Sequence, residues 1–167
     1  LRASRAPGLS IFRLTAQQVR LLKRRQVLFM NTSDQIVTLL TGAQNGSARS
    51  MAVCHLAPAA FRVLGILILA APDVASYSIL YAGLYCSNEC FEALLATGSL
   101  LAAEFQTEVA QGRHRLGALS ETEFERQIQP VRYALKGVKH ALCRQPFGWV
   151  VENRYGQGYL LTEAPPL

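Results

Sequence analysis

The chain has 167 residues, half of them apolar, with 17 Lys and Arg against 11 Asp and Glu, a formal net charge of +6 and a pI of about 9.5. Such a length holds one good core or two small ones, and the apolar share excludes a disordered chain. The most apolar run, "VLGILILAAP" at 63–72, is about half as long as a membrane-crossing helix must be, so a core helix is expected there and no membrane segment.

Charge is unevenly spread. Residues 1–72 carry nine Lys or Arg against Asp34 alone, residues 73–125 carry eight acids against two arginines, and residues 126–167 carry six bases against two acids. A basic, acidic, basic layout predicts one segment that avoids a polyanion and two that meet it. Cys54, Cys86, Cys90 and Cys143 form no close CxxC pair. They are expected as buried free thiols of a reducing compartment, and no metal site is expected.

In chain order, "LRASRAPGLS" reads as a loose basic lead. "TAQQVRLLKRRQ" offers Thr15 and Gln18 at capping-box spacing, predicting a short helix inside a basic segment 1–25. "VLFM", "QIVTLLT" and "SMAVCHL" read as strands joined by "NTSD" and "GAQNGSAR", giving a small antiparallel sheet from residue 26 to 56. Pro58 opens a helix that Pro72 stops. Asp73 and Ser76 are placed to cap "YSILYAGLYC", and Asn88 to cap a helix over 88–110. In that helix Phe91, Leu94, Leu95, Leu101, Phe105 and Val109 keep helical spacing, with a slight break at Gly98. "QGRHRLGALS" reads as a linker, and Ser120 with Glu123 as a second capping box.

Pro130 marks a first turn or a kink ahead of "VRYALKGVKHAL". There Val131, Leu135, Val138 and Leu142 make one helix face, while Arg132, Tyr133, Lys136, Lys139 and His140 occupy the rest. The chain finishes on two strands, "WVVENR" and "GYLLTE", around a "YGQG" tip, with 162–167 as a tail.

This order resembles the winged helix-turn-helix module of OmpR-like bacterial transcriptional regulators. Leu56, Pro58 and Phe61 match the opening of that family's first helix, with Ala60 where a glutamate is usual. Val131, Leu135, Val138, Lys139 and Leu142 match its recognition helix, and Val151, Arg154, Gly156, Gly158, Tyr159 and Leu161 match its wing, with Tyr155 inserted. The implied fold is α+β: an N-terminal antiparallel sheet, a helical core and a C-terminal hairpin wing, within a domain 26–161. The departure is an enlarged helical insert at about 87–128, where the family has a short loop that contacts polymerase.

The resemblance implies a DNA-binding regulator of bacterial transcription in the cytoplasm or nucleoid, with promoter DNA as partner and RNA polymerase as a further contact. A helix fits the major groove and a tight glycine turn lets a wing approach the backbone or minor groove. The residues expected on DNA are Arg126, Arg132, Tyr133, Lys136, Lys139, His140, Arg144, Arg154 and Gln157; Gly156, Gly158 and Tyr159 are expected to shape the wing turn. The apolar stripe of 88–110 is expected either to serve a homodimer or a partner protein or simply to complete the core, and the alternative to a DNA-binding function is a protein-interaction module on the same scaffold with little DNA binding. The 167 residues show no receiver domain, so phosphorylation control has no visible site in them, while a sensor, receiver or membrane segment upstream of Leu1 stays open. His55, His114 and His140 have no catalytic partner in the pattern, and "GQG" lacks the strand and helix of a nucleotide site, so neither an enzyme nor a cofactor is expected.

Overall fold

The structure, a computed structural model, describes residues 10–43 and 49–165. The fold is α+β, with a four-stranded antiparallel sheet, a three-stranded sheet and five helices among the described residues. Strands β1 (Ile11–Thr15), β2 (Gln26–Asn31), β3 (Ile36–Thr41) and β4 (Ser50–His55) pair in sequence order. Leu14, Leu28, Met30, Val37, Leu39, Ala52 and Cys54 point inward from them and are buried, the period-two pattern of a sheet covered on one face. The "GAQNGSAR" turn between β3 and β4 falls partly outside the described residues, as do residues 1–9 of the basic lead.

Helix α1 (Pro58–Ala70) is the centre of the molecule. Nothing but Arg62 interrupts its apolar surface, and it is buried nearly all round, at Phe61, Val63, Leu64, Ile66, Leu67 and Ile68 among others. It packs on α2 (Tyr77–Tyr85), α3 (Asn88–Thr97) and α5 (Glu121–Arg144). Helix α4 (Ala103–Gly117) lies against α2 and α3. The second sheet has the order β5 (Ala75–Ser76), β7 (Gly158–Glu163), β6 (Trp149–Arg154), all antiparallel. The short β5 therefore ties the terminal hairpin to the link between α1 and α2. No helix among the described residues is long and apolar enough to cross a membrane.

Several expectations are corrected. The sheet begins at residue 11 rather than 26, and there is no helix among the described residues before 26. Thr15 closes strand β1, opposite Val27. Gln18 still accepts from the Thr15 amide (3.0 Å), but this closes a turn whose Val19, Leu21 and Leu22 drop into the core. The same side-chain-to-backbone pairing that opens a helix also ends a strand. The 88–110 stretch is not one helix. Ser87, not Asn88, caps α3, accepting from the Cys90 amide at 3.0 Å, and Gly98 ends it in the left-handed conformation at φ 70°. The expected linker is largely helical, because α4 runs through to Gly117. The tail shortens, since β7 extends to Glu163.

Of the two readings of the 88–110 stripe, the core one holds and the partner surface is corrected. Phe91, Leu94, Leu95, Phe105 and Val109 are all buried within the chain's own cluster, and only Leu101 is exposed, at 82 %. Of the cysteines, Cys54, Cys86 and Cys90 are buried and Cys143 is exposed. Burial pushes the Cys54 thiol up to about 11 and the Cys90 thiol up to about 12, so both stay protonated and unreactive at neutral pH.

Candidate nucleic-acid interface

Helix α5 is where the basic C-terminal third becomes a surface. Ser120 caps it: its Oγ accepts from the Glu123 amide (3.2 Å) and Glu123 Oε1 accepts from the Ser120 amide (3.0 Å). These hydrogen bonds, the one from the Ser120 backbone first, hold the Glu123 carboxyl below its ordinary value. From there one helix runs 24 residues, straight through Pro130. An internal proline removes a backbone hydrogen bond and costs about 3 kcal/mol. The offset is the seam of Ile128, Val131, Ala134, Leu135, Val138 and Leu142, all buried. Where α5 meets α1, a Cβ on Gly137 would sit 3.1 Å from the Ala60 Cβ, so this glycine serves close packing of two helices. Ala60 stands where the resembled family has glutamate, and its small side chain is what permits the approach.

The opposite side of α5 carries a ridge of exposed residues, Arg126, Gln129, Tyr133, Lys136, His140 and Arg144. Their spacings of three and four put them on one face. No acid occurs between Arg126 and Arg144. Tyr133 is 76 % exposed, an aromatic ring standing among cations. Arg144 Nη1 lies 3.4 Å from His140 Nε2, and both residues edge a groove of about 400 Å³ between the end of α5 and the His55–Ala57 stretch.

Two of the expected residues are placed differently. Arg132 and Lys139, seven apart, lean from α5 toward the three-stranded sheet. Arg132 Nη2 pairs with Glu125 Oε1 at 3.1 Å, and its Cζ is 5.7 Å from the Tyr77 ring centre. Its Nε is buried without a hydrogen-bond partner. Lys139 Nζ is 5.9 Å from the Tyr159 ring centre. Tyr77 and Tyr159 themselves meet edge to face at 5.9 Å. The two cations thus sit over an aromatic pair that joins helix to hairpin. Burial, then Tyr77, raises the pKa of Tyr159, which is buried in the core.

The hairpin tip holds Tyr155, 92 % exposed, with Gly156 at φ 75° and the Gln157 amide bonded to the Arg154 carbonyl at 2.9 Å. Arg154 pairs with Glu152 at 3.2 Å, both exposed; a pair of this kind contributes little and is easily given up. Gly158 has φ 146°, and a Cβ there would collide with the Ala75 carbonyl oxygen. Only glycine lets β5 pair so closely with β7.

One structural residue escaped the sequence reading. Arg62, alone on apolar α1, donates to the carbonyls of Gly83 (3.1 Å) and Cys86 (2.7 Å) and to Asn88 Oδ1 (2.6 Å), and lies 5.0 Å from the Phe91 ring centre. It closes the α2–α3 corner. Its signal was being the single charge in a run that otherwise excludes charge. Among the described residues no group of three or more His, Cys, Asp or Glu is arranged to hold a metal.

No family model, curated protein or solved structure matches the chain.

Proposed function

We propose that the chain is a winged-helix module that binds double-stranded DNA and regulates transcription, with the 126–144 part of α5 in the major groove and the β6–β7 hairpin on the backbone or minor groove. The observation that carries this reading is the acid-free exposed ridge of α5, directly ahead of a glycine-turned hairpin. Further support comes from the element order, with β5 joining the hairpin in a three-stranded sheet, and from the motif resemblance to OmpR-like regulators. In this reading Tyr133 and Lys136 meet base edges, and Arg126, His140 and Arg144 meet phosphates. Arg132 and Lys139 hold the angle between helix and wing, and Arg154 exchanges Glu152 for phosphate. The test is duplex binding followed by backbone amide shifts at two salt concentrations. The expected result is shifts over 126–144 and 153–157 and an affinity that falls steeply with salt. Saturable binding that moves only other segments would sink the reading.

A further inference from the structure

The outer face of the four-stranded sheet breaks the usual rule for an antiparallel sheet with one solvent-facing side, which is polar outward. Register builds two columns across it. Val27 stands opposite Leu40, and Leu40 opposite Met51; Phe29 stands opposite Thr38, and Thr38 opposite Val53. Met51 is 63 % exposed and Leu40 38 %. The rim is cationic: Arg13 is opposite Phe29 in the register, and Arg25 and Arg49 border the same groove of about 450 Å³. Between Ile11 and His55 the single acid is Asp34, in the β2–β3 turn with Asn31 Nδ2 at 3.3 Å.

We infer that this sheet face is a docking surface for an acidic amphipathic segment of a partner protein, its apolar side chains on the Val27–Leu40–Met51 column and its carboxylates on Arg13 and Arg49. Charge selects the occupant. An isologous contact with a second copy brings the same three guanidiniums face to face. Residues 1–9 of this chain contain two arginines and no acid, so they do not complement the rim. DNA phosphates would suit the guanidiniums but leave Phe29, Leu40 and Met51 with no apolar counterpart. An amphipathic segment satisfies both requirements, since it lays apolar anchors in a groove and presents carboxylates to the paired fork of Arg. The surface is separate from the exposed ridge of α5 and does not depend on the DNA reading.

The probe is a fluorescent 16-residue helical peptide with leucines at i, i+3, i+4 and i+7 and glutamate elsewhere, beside a version with lysine for every glutamate. The glutamate peptide should bind saturably, shift the amides of β2, β3 and β4, and bind at least tenfold more tightly than the lysine peptide. Leu40→Thr with Met51→Thr, and separately Arg13→Glu with Arg49→Glu, should each weaken it tenfold or more, with circular dichroism and duplex affinity unchanged. No binding, equal binding of both peptides, or equal binding by the variants overturns the proposal. So does a concentration-dependent dimer that Met51→Thr dissolves, which assigns the face to a second copy, or a loss of duplex affinity in Arg13→Glu with Arg49→Glu, which assigns it to nucleic acid.

Discussion

The α3–α4 pair and α5 are built alike and present different surfaces. Each buries a full apolar row against the same core, through Phe91, Leu94, Leu95, Phe105, Val109 and Leu116 in the first and Ile128, Val131, Leu135, Val138 and Leu142 in the second. What remains outside differs. Helices α3 and α4 carry Glu89, Glu92, Glu104 and Glu108 against Arg113 and Arg115, whereas α5 beyond Glu125 carries five bases and no acid. The apolar stripe therefore reports packing, and the two regions differ in the charge of the surface left outside it. Reading a partner surface from the length of the α3–α4 stripe fails because α1, α2 and β1 of the same chain already cover it.

This contrast can be broken first at its inner side. Phe105 is fully buried on α4, and Phe105→Ala should cost about 3–5 kcal/mol by urea unfolding, while the folded fraction keeps its duplex affinity. A large loss of affinity per folded molecule would make α4 part of the proposed DNA surface. The next effect is at the other helix. His140→Ala with Arg144→Ala should weaken binding equally on all sequences and lower the log–log salt slope by about one for each phosphate no longer neutralised. An unchanged slope would remove those two residues from the set that meets the DNA backbone.

A smaller effect sharpens the start of α5. Ser120→Ala should cost about 1 kcal/mol through removal of the N-cap. Because Glu123 is held below its ordinary value of 4.5, its contribution is present above about pH 4.5 and is lost as pH falls through the lower folded value. Glu123→Gln removes the titrating carboxyl and should flatten that part of the acid-unfolding profile, and an unaltered profile would show that Glu123 is not its source. The smallest effect is Leu101→Ser, expected within about 0.5 kcal/mol of wild type and without change in sedimentation. A shift in oligomeric state would restore the partner reading for this segment.

Strong local signals were legible in the sequence. The β2, β3 and β4 strands, α1 between Pro58 and Pro72, the Ser120 capping box, the buried seam of α5 and the terminal hairpin all follow from period, prolines and caps. The errors fell where one pattern serves two structures. Thr15 with Gln18 fits a helix start and a strand end equally, and only the pairing of Thr15 with Val27 decides between them. Gly98 in a helical beat reads as tolerated until its φ of 70° ends the helix. The two-residue β5 has too little length for any periodicity and exists only through Ala75 and Ser76 pairing with β7. At the candidate interface, the ridge of α5 was legible, because it is the complement of the apolar seam. The diversion of Arg132 and Lys139 was not, since it depends on Tyr77 and Tyr159 arriving from distant positions in the chain.

The central claim is that the exposed ridge of α5 reads DNA, and Lys136→Ala tests it most directly. Lys136 is exposed and opposite the buried seam, so circular dichroism and melting should match wild type. Both proteins are titrated against a duplex enriched from a random-sequence library by the wild type, and against its scrambled form, at two salt concentrations. The account predicts a loss on the enriched duplex of roughly 5- to 150-fold, the equivalent of the 1–3 kcal/mol of a good base contact, and a much smaller loss on the scrambled one. Equal affinities of wild type and Lys136→Ala for both duplexes would contradict it.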